Sequence, residues 1–196
     1  MADLITTARA QQTKELSSVD ETLLGNLISA ASTTIQRYCN RNFPSASYDE
    51  DYDGEGGIEL FLNAMPILTL TSVTIKEQGS TTSLDVNGIL QYVNEGRLVI
   101  DPLTTEAMSY CHFPVGRQNI NVVYTAGYAT VPEDVQEACV EMCTVLYGAT
   151  STDGNIGLDS ESLGSYSYSR SSKNDRLLFT DTIKSLLSTY ILHMVE

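Results

Sequence analysis

Histidine is scarce in this chain of 196 residues: His112 and His193 are the only two. Neither stands in a nucleophile motif, and Gly-x-Ser-x-Gly does not occur, so nothing points to a hydrolytic triad. Gly54, Gly56 and Gly57 cluster, but no Gly-Lys-Ser/Thr follows and acids surround them. That argues against a phosphate cradle, which needs a cation as well as backbone N–H groups. Long hydrophobic runs are missing too. The apolar stretch 190–195 is far short of a bilayer span, and no membrane partner is expected. The first seven residues place Asp3 where a signal peptide needs positive charge. The expectation is a soluble protein that stays in the cytoplasm where it is made. Bases are few: 11 Lys and Arg face 25 Asp and Glu, for a net charge of −14. A surface of that sign repels phosphate backbones. The charge argues against a protein that grips DNA and leaves room for one that sits beside DNA without holding it.

Four cysteines are present, Cys39, Cys111, Cys139 and Cys143. In a chain of this length without an export signal they read as reduced thiols rather than staples. Cys139 and Cys143 fall four apart in a helical pattern and share one face. A zinc site would need more ligands at close spacing, so the expectation is buried, small apolar side chains.

The acids are unevenly spread. Residues 1–48 hold four acids and four bases, 49–149 hold fifteen and three, and 150–196 hold six and four. The sharpest chemical pattern lies at the start of the acidic stretch: Asp49, Glu50, Asp51, Tyr52, Asp53, Gly54, then Glu55. Acids at positions 1, 3 and 5 with Gly at 6 copy the opening of an EF-hand loop. Position 12 is Leu60 where a bidentate Glu belongs, and the following residues read as strand. Asp49, Asp51 and Asp53 are therefore weak metal candidates. The plainer reading is an acidic hairpin on a solvated surface. No cofactor and no enzymatic activity are expected.

The periodicities divide the chain. Leu23, Leu24, Leu27, Ile28, Ala31, Ile35, Tyr38 and Cys39 recur at helical spacing behind Ser18 or Asp20 as cap, which predicts an amphipathic helix over 20–41. Its polar face carries Ser, Thr, Asn and Gln more than charge, which suits packing against neighbouring copies. Residues 47–128 switch to short β-rich runs at 58–62, 70–75, 98–100 and 120–124, separated by turn signals, with a tight hairpin at Asn94, Glu95, Gly96. Pro132 opens a second helix, with Thr130 as cap, that Gly148 should end. Residues 150–176 are Ser, Gly, Asn, Asp and Tyr around isolated apolar residues, too long for an ordinary loop. In that stretch Leu163, Tyr166 and Tyr168 alternate with small polar residues, which fits either a solvated loop or a strand that pairs with another subunit. Residues 176–195 predict a last helix. The fold class is α+β: a small helical bundle of three to four helices, formed by 1–46 and 129–196, with an inserted antiparallel β-sheet region at 47–128. The C-terminal part supplies a docking segment.

The order of these elements resembles the head–tail connector, or adaptor, proteins of tailed bacteriophages. The resemblance rests on the helix running into Arg37, Tyr38, Cys39, Asn40, Arg41, Asn42, Phe43; on Tyr52, Asp53, Gly54 before an apolar strand and Met65, Pro66, Ile67; on Tyr124, Thr125, Ala126, Gly127, Tyr128 followed by Pro132; and on Leu163, Gly164, Ser165, Tyr166 before a final helix. It implies a structural virion protein at the neck, assembled in the host cytoplasm. It implies about twelve copies in a ring beneath the portal. Such a ring extends the DNA channel and offers a docking surface to a stopper or to a tail-completion or tail-tube protein. Its partners are its own copies, the portal protein and the next neck protein, with genomic DNA passing nearby without specific binding. On this reading Arg37, Arg41, Leu163, Tyr166, Tyr168, Leu187, Tyr190 and Ile191 are subunit or portal interface candidates. Asp49, Glu50, Asp51, Asp53 and Glu55 are channel-facing candidates. The alternative is a small acidic calcium- or ligand-binding accessory module.

Overall fold

The computed structural model describes residues 2–77, 79–100, 111–151, 160–163, 166–169 and 179–192. The chain falls into two compact units, one formed by 1–40 with 132–196 and the other by 41–131. It is an α+β protein, with helices in the first unit and two antiparallel sheets in the second.

In the helical unit α1 is one short turn, Thr7–Ala10, and α2 spans Glu21–Tyr38. The Asp20 carboxylate accepts from the backbone N–H of Thr22 and Leu23 at 3.0 and 3.2 Å, satisfying two of the first-turn donors. Leu24, Leu27, Ile28, Ala31 and Ile35 turn inward at the expected spacing, while Leu23 is exposed. The helix ends three residues earlier than predicted. Cys39 is its C-cap, and Asn40 turns away with φ of 52°, a conformation Asn tolerates better than most residues. Arg41 therefore lies outside the helix and in the other unit.

Helix α3, Glu133–Ser151, starts where Pro132 offers its carbonyl to the N–H of Val135 and Gln136. It runs through Gly148 rather than stopping there. That glycine is exposed, and its cost inside a helix is only about 1 kcal/mol. Val135, Ala138, Cys139, Met142 and Cys143 form the buried stripe. The last helix is shorter than predicted: α4 spans Asp181–Leu187, and a 3-10 turn covers Ser188–Tyr190. Ile191 is extended, and the N–H of Leu192 then pairs with the carbonyl of Cys39. Residues 152–159, 170–178 and 193–196, and with them most of the tract 150–176, lie outside the described residues. Among the described residues no helix is long and apolar enough to cross a membrane.

In the β unit the strands are β1 Ala46–Gly54, β2 Glu59–Phe61, β3 Ile67–Glu77, β4 Ser80–Leu84, β5 Ile89–Tyr92, β6 Arg97–Ile100 and β7 Gly116–Ala126. They form not one sheet but two, ordered β1-β7-β3-β4 and β2-β6-β5. The residues expected to make an acidic hairpin form β1 instead. This nine-residue edge strand pairs with β7 from Ala46 opposite Ala126 to Tyr52 opposite Ile120. The predicted turn after Tyr92 is present: Val93–Glu95 is a 3-10 turn, and Gly96 closes it in the left-handed region at φ 64°. Alternate residues of both sheets meet in one core around Tyr124, Ile75, Ile120, Val122, Leu98 and Ile100. A separate hairpin joins β8, Ser160–Leu163, to β9, Tyr166–Ser169.

Candidate functional site

Strand β1 presents two different faces. Asp49, Asp51 and Asp53 are exposed, whereas Tyr48, Glu50 and Tyr52 alternate with them and are half-buried. An extended strand separates successive residues of one face by nearly 7 Å, so the EF-hand-like spacing does not form a loop that wraps an ion. Each aspartate already has a local partner. Asp49 accepts from the Asn121 side chain at 2.7 Å, Asp51 pairs with Lys76 Nζ at 2.7 Å, and Asp53 accepts from the N–H of Gln118 at 2.6 Å. Hydrogen bonds from Lys76 and then Asn121 hold the Asp51 carboxyl below its usual value. Gly54 explains the rest of the motif: a Cβ there would overlap the carbonyl oxygen of Pro114, and its N–H donates to Asn119 at 2.9 Å. Asp53 and Gly54 thus clamp the 114–119 segment. Among the described residues no group of three or more His, Cys, Asp or Glu is arranged to hold a metal. Glu55 is exposed beyond the strand.

Glu50 behaves differently from its neighbours. Its carboxylate accepts from the hydroxyl of Tyr52, from the hydroxyl of Tyr124 at 2.9 Å and from Asn63 Nδ2 at 3.3 Å. The same hydroxyls accept in turn from the backbone. Asn63 N–H donates to Tyr52 at 3.1 Å, and Ala64 N–H donates to Tyr124 at 3.2 Å. Glu50 therefore anchors the 63–64 backbone through two tyrosines. Burial pushes the Tyr124 phenol up to about 12; burial and the bond to Glu50 push Tyr52 higher still. Sequence reasoning missed this cluster. Its only trace was the alternation of Tyr with acid along β1.

The interface candidates are scattered. Arg37 is exposed on the last turn of α2, and its guanidinium has no ion-pair partner among the described residues. Arg41 is occupied within its own unit: Nη2 donates to the carbonyl of Met65 at 2.6 Å, and the guanidinium lies 5.5 Å from the rings of both Phe43 and Tyr128. Leu187 is fully buried in the helical core, so it packs α4 against its own unit instead of facing a partner. Tyr190 and Ile191 are half-buried. The tract holding Leu163, Tyr166 and Tyr168 pairs with itself, Leu163 opposite Tyr166 and Glu161 opposite Tyr168.

Of the thiols, Cys39, Cys139 and Cys143 are buried, and Cys111 is exposed beside the exposed His112. The hydrogen bond that Cys143 shares with Cys139, together with burial, pushes the Cys143 thiol up.

A second surface, on the three-stranded sheet, was not anticipated. Phe61 on β2 and Tyr92 on β5 both stand opposite Arg97 on β6, in one row across the outer face. Arg97 lies 4.0 Å from the Tyr92 ring centroid and bridges Glu59 at 2.7 Å and Glu95 at 3.0 Å. Phe61 is 62% exposed, and Leu90 and Val93 nearby are also exposed.

A family model described as head completion protein matches residues 3–155. No curated protein matches the chain. Among solved structures, the chain is similar to one in the neck of an empty gene transfer agent particle computed with C6 symmetry, with a TM-score of 0.60 and 14% identity over 98% of this chain and 92% of that one. It is also similar to a chain in the virion of the native particle, at TM-score 0.59 and 13% identity over the same shares. A third likeness is to a chain in the native neck computed with C12 symmetry, at TM-score 0.54 and 15% identity over 100% and 96%. At these identities the likeness is one of fold.

Proposed function

The chain belongs to the head completion protein family, and on that premise we propose that it is a structural, non-enzymatic head–tail connector of a tailed-phage-like virion. In this reading about twelve copies form a ring beneath the portal, in the virion neck. The ring continues the DNA channel and gives the next neck component a surface to dock on. The observation that carries the proposal is a fold likeness spanning nearly the whole chain to components of symmetric necks. The helical unit is the bundle that builds the ring wall, and the β unit between its two sequence segments is an insertion into it.

Charge supports the same reading. A ring of this stoichiometry carries on the order of a hundred net negative charges, and a lumen of that sign lets a polyanion slide without adhering. Asp49, Asp51, Asp53 and Glu55 are the acids available to line it, with Glu50 turned to the opposite face of β1. The C-terminal residues 183–195 provide the portal contact. Here Tyr190 and Ile191 are the partly exposed members, while Leu187 serves the core.

The test is electron microscopy of the purified chain with its cognate portal protein. A ring of about twelve copies, coaxial with the portal, is the expected image. A chain that stays monomeric and leaves the portal undecorated would sink the reading.

A further inference from the structure

The outer face of β2-β6-β5 exposes the large apolar side chains Phe61, Leu90 and Tyr92 around a buried Val99. Cross-strand register puts Phe61, Arg97 and Tyr92 in one row and Glu59, Val99 and Leu90 in the next. The alternate residues Leu60, Leu98, Ile89 and Ile100 point to the core. The centre of the row is held before any partner arrives. Arg97 is stacked on Tyr92 and held between two carboxylates, so little side-chain freedom remains to be lost. Aromatic residues beside an ordered arginine are the composition found at the energetic centre of interfaces. The rim is acidic: the side chains of Glu59 and Glu95 are 42% and 58% exposed.

The other unit carries a patch of matching character. At the end of α2, Tyr38 is partly exposed and stacks on Phe179, with ring centroids 4.2 Å apart. Arg37 stands beside it with its cation unpaired among the described residues. One patch is an aromatic face with an acidic rim; the other is an aromatic knob with a free cation. A ring is built from heterologous contacts, in which each copy offers two different surfaces.

We infer that the occupant of the β2-β6-β5 face is a second copy of this chain, which inserts its Arg37–Tyr38–Phe179 knob against Phe61 and Tyr92 and sets Arg37 against Glu95. The inference rests on the ring reading and deepens it by naming the two surfaces. Charge complementarity selects this occupant: the face holds two carboxylates against one guanidinium, so two such faces carry like net charge, whereas knob against face pairs unlike charges.

Sedimentation velocity of the full chain over a concentration series tests it, with wild type beside Phe61→Ser, Arg37→Glu, Glu95→Lys and the Arg37→Glu/Glu95→Lys double variant. Wild type should self-associate. Each single variant should weaken association by about tenfold or more with an unchanged melting temperature, and the double variant should recover most of it. Phe61→Ser serves as the readout should the charge variants alter folding, since Phe61 is mostly exposed. If wild type associates and every variant associates equally, this contact is wrong while the ring stands. If wild type is monomeric throughout, two copies do not meet through this face. The contact is then overturned, and the ring is decided separately by the image with the portal.

Discussion

The hydroxyl of Tyr124 donates to the carboxylate of Glu50 at 2.9 Å while accepting the backbone N–H of Ala64 at 3.2 Å. One phenol thus joins a strand at the sheet edge to a connecting segment across the core. Tyr52 repeats the arrangement with Asn63. Removing the acceptor at the centre should loosen both arms. Glu50→Ala and Tyr124→Phe should each lower stability by about 1–3 kcal/mol, because each leaves polar groups short of a partner. Urea unfolding with an unchanged slope would measure it, and a variant as stable as wild type would show the relay to be ornamental.

Alkaline pH provides an independent view of the same cluster. A tyrosine in the unfolded chain ionises near pH 10, whereas Tyr124 is pushed up to about 12 and Tyr52 beyond. A raised folded-state value means that the unfolded chain releases protons the native state keeps. These two groups should therefore leave stability level below pH 10 and lower it as pH rises from 10 through 12. Melting temperatures in that window should fall steeply in wild type and less steeply in Tyr124→Phe.

The remaining acids of β1 should behave in the opposite way to Glu50. Asp49, Asp51 and Asp53 are exposed, and the Asp51–Lys76 pair lies in solvent. Exposed pairs of this kind contribute little to stability, being screened by solvent. Replacing Asp49 and Asp51 by Asn should leave the melting temperature within a few degrees of wild type at neutral pH. A large calcium-dependent rise in the wild-type melting temperature, lost in this variant, would restore the calcium-module reading.

Thiol chemistry should divide the cysteines one against three. Cys111 is exposed, whereas Cys39, Cys139 and Cys143 are buried. A water-soluble maleimide should label Cys111 quickly in native protein and the others only on unfolding. Rapid labelling of Cys139 would mean that the packing of α2 on α3 opens in solution.

Arg41 offers a test of chemistry rather than charge. Its planar group reaches the Met65 carbonyl and lies near two rings. Arg41→Lys keeps the charge but loses the fork and the flat stacking surface, so it should destabilise by about 1–2 kcal/mol. Equal stability of the two would reduce Arg41 to a surface cation.

Helix α2 could be read from the chain because its information is local: Asp20 sits immediately before it, and Leu24, Leu27, Ile28 and Ile35 recur at helical spacing. Strand β1 was misread for the converse reason. Asp and Glu are depleted in strands, and the partner that explains Glu50 is Tyr124, 74 residues away. Strand β4 carries few apolar residues and lies at a sheet edge, where one face and one side need no hydrophobic pattern. The Arg97 face was within reach, because Leu90 and Tyr92 alternate just before a turn that returns the chain to Arg97. Residue order could not show that β2 would extend the same row. Leu187 was placed outside because an amphipathic stripe marks what is buried without saying against what.

The strict alternation along β1 also acts as a proofreading device for the strand's alignment. A slip of one residue against β7 would exchange its faces, driving Asp49, Asp51 and Asp53 toward Tyr124 and turning Tyr48 and Tyr52 out to water. Three carboxylates would then have to shed their hydration where, of the two hydroxyls that serve Glu50, only that of Tyr124 still stands ready to receive them. The neighbouring misalignments are thus made prohibitive by the same acids that solubilise the correct one. An edge strand with little apolar attraction of its own consequently finds a single register, and that register sets where the 63–66 and 114–119 connections close.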